Sequence, residues 1–149
     1  MITFRHFLLS SAALVGALAL SACSNPLGTH QPHFTGKLSG NQEVPATPST
    51  GVGVLDASLD KTTNVLKWTI SYSGLTGPVT GGHFHGPAGP GENAGVAVPF
   101  SGPLSSAIEG QATLTPAQIN DLIAGRWYVN LHTTAYPAGE IRGQVSPRR

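Results

Sequence analysis

Three histidines have the type and spacing to do chemistry. Gly81-Gly82-His83-Phe84-His85-Gly86-Pro87-Ala88 sets two imidazoles and an aromatic ring among loop-formers. On an extended chain alternate side chains share a face, so His83 and His85 point one way and Phe84 the other. In Trp127-Tyr128-Val129-Asn130-Leu131-His132 the same alternation puts Trp127, Val129 and Leu131 inward and Tyr128, Asn130 and His132 outward. A core phenylalanine between two outward imidazoles, with a third from another strand, is the pattern of a metal site on the outside of a β-sandwich.

The chemistry follows from the ligand type. Neutral imidazole suits copper, zinc, nickel and iron. Side chains at i and i+2 of a strand are rooted about 7 Å apart, and two rings can converge on an ion between them. Three protein ligands leave a coordination position open, as reactive sites do. The domain offers no thiolate, and the affinity order of divalent ions favours copper, with zinc next. The bland alternative gives both ring nitrogens of each histidine to backbone groups of a glycine-rich corner. Tyr128, Asn130, Thr133 and Glu140 are polar groups that could support the ligands from behind, or be ordinary strand-face polarity. Glu43, in a turn-rich loop, could add a carboxylate to the site, but a loop acid is usually solvated. No serine sits in a nucleophile elbow, and the glycines of 86–95 lead into a strand rather than a phosphate-binding helix.

The elements that must position these residues are short and mostly extended. Phe34 to Leu38 reads as a first strand, followed by a loop over 40–50. In Gly51 to Asp60 the apolar face changes from Val52 and Val54 to Leu55, Ala57 and Leu59, which predicts a slip or bulge. Lys61 to Asn64 is a hairpin turn. Val65 to Ser73 alternates most cleanly, with Leu66, Trp68, Ile70 and Tyr72 on one face. The histidine strand follows, then a Pro/Gly loop over 87–95. Short strands are predicted over 96–100 and 108–114. Thr115-Pro116-Ala117-Gln118 is a capping box with proline at the first helical position. Ile119, Leu122 and Ile123 give that helix its apolar stripe, and Gly125 ends it. The second histidine strand and a closing strand over 140–145, with Ile141, Gly143 and Val145 inward, complete the set. The fold class is all-β: an antiparallel Greek-key β-sandwich, immunoglobulin-like or superoxide-dismutase-like, with one short helix.

The chain has 149 residues, enough for one domain. Its first stretch reads as a leader: Arg5 and His6, then an apolar run to Leu20 too short and poorly flanked for a lasting span. Leu20-Ser21-Ala22-Cys23 resembles a bacterial lipobox. That resemblance implies removal of 1–22, acylation of Cys23 (palmitate among the acyl groups) and a membrane anchor. Ser24 then implies an outer membrane, if the organism has one. The alternative is an ordinary signal with a nearby free thiol. Residues 23–33 read as the lipidated N-terminus and linker, with His30 and His33 as solvated linker histidines, and 34–146 as the domain. Arg5 is the only Lys or Arg in the leader, so seven basic residues remain against seven acidic ones. A neutral domain argues against nucleic acid. With one cysteine no intrachain disulfide exists, and the fold rests on its core.

The motifs in their order resemble a known family. FTGKLSGNQEVPATPSTGVG, then YSGLTGPVTGGHFHGPAGPGENAGV, then LTPAQINDLIAGRWYVNLHTTAYPAGEIRGQV are similar to a CHRD domain, the module repeated in chordin and found singly in bacterial secreted proteins. The likeness spans Phe34 to Val145. It implies an extracytoplasmic β-sandwich and no single biochemical activity. A weaker resemblance joins His83, His85 and His132 to the ligand order of copper-zinc superoxide dismutase. The chain departs from that family in lacking a bridging histidine, zinc-loop histidines and a disulfide. Arg142 reads as an exposed arginine near the close of the domain.

The sequence thus supports a lipid-anchored envelope protein that binds a transition metal, copper favoured and zinc the alternative, at His83, His85 and His132. The competing reading is an extracytoplasmic module for a protein or glycan partner, with structural histidines. A dismutase-like redox enzyme comes third, since the bridging ligand is missing. The sequence favours a binder over an enzyme.

Overall fold

A computed structural model describes residues 31–148. The leader, the lipobox with Cys23 and most of the linker lie outside the described residues. Eight strands form in chain order: β1 (His33–Ser39), β2 (Val52–Asp60), β3 (Val65–Ser73), β4 (Val79–His85), β5 (Val96–Pro99), β6 (Ile108–Thr113), β7 (Trp127–Thr133) and β8 (Ile141–Pro147). Among the described residues one α-helix, α1 (Pro116–Ile123), precedes β7. Every described strand pairing is antiparallel. The strands form one sheet in the order β5-β4-β7-β8-β1-β2-β3-β6.

This sheet curls until its halves face each other. Trp68 of β3 meets Phe84 of β4 edge-on, centroids 5.1 Å apart, and stacks on Phe100 at 5.3 Å. Trp68 and Phe84, with Trp127, Leu55, Leu131 and Ile141, belong to one buried cluster drawn from both halves, and Phe100 packs against it partly buried. The sandwich expected from alternation is therefore two layers joined through the β8–β1 pairing into a nearly closed barrel. After β5 and β6 the chain returns to place β7 beside β4, which is the Greek-key step.

Local chemistry explains the elements. Asn64 adopts a positive φ of 59° in the β2–β3 turn, and Asp60 Oδ1 accepts the N–H groups of Thr62 and Thr63 at 2.8 and 3.2 Å. On α1 the Thr115 side chain accepts from the Gln118 N–H while Gln118 Oε1 accepts from the Thr115 N–H, a complete capping box. Leu122 is its buried anchor, and Ile123 is exposed.

Strand β2 corrects one expectation. It pairs with β3 without a register break from Val52 to Asp60. Gly53, Leu55, Ala57 and Leu59 face inward throughout, and Val52 and Val54 are 53 % and 52 % exposed. The apolar face does not switch; a glycine holds an inward position. A Cβ on Gly53 would stand 3.2 Å from Ile141 Cδ1 and 3.3 Å from Leu38 Cβ, so the core needs no side chain there.

Candidate metal centre

The two histidine strands are neighbours. β4 pairs with β7 in a register that sets Gly81 opposite His132, His83 opposite Asn130 and His85 opposite Tyr128. Phe84 points into the core, fully buried. His83 and His132 are therefore diagonal neighbours on the outer face. Gly81 lies beside both rings: a Cβ there would stand 3.8 Å from His132 Cδ2 and 3.8 Å from His83 Cε1.

One ring nitrogen from each of His83, His85 and His132 lies within 4.8 Å of the others. Among the described residues this is the one such group of three or more His, Cys, Asp or Glu side chains. His83 Nδ1 is 3.0 Å from His132 Nε2. His85 Nδ1 lies 3.0 Å from the Ala94 carbonyl oxygen, and His132 Nδ1 lies 2.9 Å from that of Pro137. A carbonyl only accepts, so both Nδ1 atoms carry hydrogen. In the neutral rings Nε2 is then the lone-pair atom, and both Nε2 atoms turn toward the centre. Fixing the ligand tautomer with a backbone carbonyl is how histidine metal sites are ordered. Burial lowers the pKa of His83, and His132 and His85 lower it further. Burial also lowers that of His85, ahead of its hydrogen bonds, which raise it. Both rings thus keep neutral, ligand-competent nitrogens at pH 7.

The polar neighbours divide sharply. Asn130 lies under the site with Oδ1 at 3.1 Å from both His85 Nε2 and His132 Nε2. Tyr128 stacks parallel on His85 at 4.7 Å. Thr133 and Glu140 serve elsewhere. Glu140 Oε2 accepts from the Thr133 hydroxyl, and Oε1 accepts from Ser49 Oγ, Thr76 N and Thr76 Oγ1 at 2.7, 2.8 and 2.9 Å. Burial pushes the Glu140 carboxyl up, and these hydrogen bonds outweigh it, leaving its pKa below the usual carboxylate value. Glu140 makes no hydrogen bond to a histidine; it ties loop 47–49 and the segment before β4 to the end of β7.

Arg142 is not the exposed arginine its place in the sequence suggests. It is 2 % exposed. Its guanidinium lies 3.4 Å over the Tyr128 ring and donates to Asn93 Oδ1 at 3.0 Å and to the Glu92 carbonyl at 2.6 Å. Gln144 donates to the Ala88 carbonyl at 2.9 Å. Together they pin the loop over 86–95 onto the outer face of β7 and β8. That cover buries Tyr128, whose hydroxyl meets the Ala94 backbone, and brings the Ala94 carbonyl to His85.

Glu43 is not the solvated loop acid that the sequence favours. It is 8 % exposed, and burial pushes its carboxyl up to about 7 against the pull of Arg142, Asn130 and the Val44 N–H. Its Oε1 is buried without a hydrogen-bond partner. Gly139, with φ of 131°, leaves the gap that both Glu43 and Asn130 occupy: a Cβ there would stand 2.5 Å from Glu43 Oε1 and 2.9 Å from Asn130 Nδ2. Nothing local in GNQEVPATPST signals this, because the partners lie about 90 residues downstream.

Fold and site define a curled antiparallel β module with an imidazole cluster on one outer face. A family model described as the CHRD domain matches residues 34–145, and the chain belongs to that family. CHRD domains are extracytoplasmic modules. No curated protein and no solved structure matches the chain. The likeness to copper-zinc superoxide dismutase rests on histidine order alone. No helix among the described residues is long and apolar enough to cross a membrane.

Proposed function

We propose that this CHRD domain binds one transition-metal ion, copper in preference to zinc, through His83, His85 and His132. One observation carries the reading. Two carbonyls from separate loops hold the Nδ1–H groups of His85 and His132, so that both Nε2 lone pairs face the same small volume beside His83. Metal–nitrogen bonds of about 2.0–2.1 Å at tetrahedral angles place ligand nitrogens about 3.3 Å apart. The His83–His132 contact of 3.0 Å is near that value, and all three ligand nitrogens lie within 4.8 Å of one another.

Copper is favoured because the donors are imidazoles only and copper heads the affinity order. Three protein ligands leave a position for a small molecule or a transfer partner, which suits metal handling and admits redox chemistry. Cys23 as a lipid anchor in the cell envelope belongs to the same proposal and rests on the lipobox pattern. Isothermal titration with copper(II) and zinc(II) tests the site. His132→Ala is expected to weaken binding far more than His33→Ala, since His33 is exposed at the start of β1. Equal effects would sink the site and leave the protein- or glycan-binding module as the reading. Superoxide turnover by the copper-loaded protein would move it to the dismutase-like enzyme.

A further inference from the structure

The Asn130 amide stands between two sets of groups that want opposite things from it. On one side are His85 Nε2 and His132 Nε2, each 3.1 Å from Asn130 Oδ1. On the other is the buried Glu43 carboxyl, whose Oε1 has no hydrogen-bond partner. With Nδ1–H groups given to Ala94 and Pro137, neutral rings present lone pairs to Asn130. An amide oxygen opposes two lone pairs, whereas an amide nitrogen donates to both. Turning the amide over satisfies the rings but brings Oδ1 to Glu43. A carboxylate would repel it; a carboxylic acid would donate to it. The two orientations therefore differ by the proton on Glu43.

We propose that Glu43 and Asn130 form a proton-linked support for the metal centre, an inference that rests on the metal-binding reading above. Without metal, Glu43 is the acid: its O–H donates to Asn130 Oδ1, and Asn130 Nδ2 donates to the two Nε2 atoms. A metal ion takes those lone pairs. The amide then turns its Oδ1 toward the cation and its Nδ2 toward Glu43, which releases its proton to solvent and becomes a carboxylate. One positive charge leaves as the metal's charge arrives, so less net charge is buried. Glu43 is a positioning residue here and not a ligand.

The surroundings fit. The charged group acting on Glu43 is Arg142 from β8; β7 contributes Asn130, and the loop contributes the Val44 N–H. Burial outweighs the pull of Arg142, whose guanidinium is engaged with Asn93, Glu92 and the Tyr128 ring, and leaves Glu43 poised near neutrality, at about 7, rather than held as a permanent carboxylate.

The test uses zinc, which has no redox chemistry of its own. Calorimetric titration of the protein in buffers of different ionisation enthalpy gives the protons released per metal ion. At pH 6 the native protein should release about one proton more than Glu43→Gln, and at pH 8.5 the difference should vanish. In the metal-free protein the Asn130 side-chain amide resonances should titrate with a midpoint near neutrality and be flat in Glu43→Gln. Zinc binding with equal proton release in both proteins overturns the inference and leaves the metal site standing. Failure of zinc to bind while the Asn130 titration persists overturns the metal reading and keeps the Glu43–Asn130 link. Asn130 resonances that do not titrate in the folded native protein overturn that link.

Discussion

Glu140 and Glu43 are two buried acids against opposite parts of the same loop cluster, and they have opposite chemistry. Glu140 accepts four hydrogen bonds, and its pKa is depressed. Glu43 leaves Oε1 without a hydrogen bond, and its pKa is raised to about 7. Burial acts on both in the same direction; the number of donors decides which charge state survives. The satisfied acid fastens loops. The unsatisfied one keeps a proton to give away, and it sits behind the histidines.

The largest effect should come from breaking the satisfied member. Glu140→Ala strands donors on Thr133, Ser49 and Thr76 and is expected to destabilise the fold by about 4 kcal/mol in urea unfolding. A loss below about 1 kcal/mol would mean that its hydrogen bonds do not fasten the loops.

The pH dependence of stability sharpens the contrast, because the two acids have opposite signs. Glu43 has a folded pKa above its unfolded value of 4.5, so its stabilisation is complete below 4.5 and is lost as pH rises through about 7. That loss amounts to about 3 kcal/mol, and Glu43→Gln should remove it. Glu140 has a folded pKa below 4.5, so its stabilisation is present above 4.5 and is lost as pH falls through the folded pKa. Unfolding curves from pH 3 to 8.5 for native protein, Glu43→Gln and Glu140→Gln separate the contributions. A Glu43→Gln profile parallel to the native one between pH 5 and 8 would contradict the assignment.

Smaller effects are expected on metal affinity. His132→Ala should weaken binding about a hundredfold, near 2.7 kcal/mol, while His33→Ala leaves it unchanged. Asn130→Ala, which keeps all three ligands but removes their support, should cost about tenfold. A loss as large as that of His132→Ala would make Asn130 a ligand in its own right.

Much of this was legible in the chain because alternation is local. Trp127, Val129 and Leu131 inward against His132 outward follows from period two alone, as does Phe84 between His83 and His85. The capping box of α1 is written within four residues. The loops that cover the outer face were not legible. Alternation sets Arg142 on the outer face but leaves it in solvent, because no local signal says that Asn93 and the Glu92 carbonyl lie across it. The same holds for Glu43, whose burial depends on Asn130 and Arg142, distant in sequence. At Val52 and Val54 side-chain type misled, since β-branched residues suit an exposed strand face as well as a core.

The most direct test of the central claim is metal content by mass spectrometry, on protein purified without a histidine tag and titrated with copper and zinc. One equivalent is expected on the native protein, and under limiting metal its occupancy should fall in both His83→Ala and His132→Ala. No metal retained by the native protein, or undiminished occupancy in both variants, would contradict that claim.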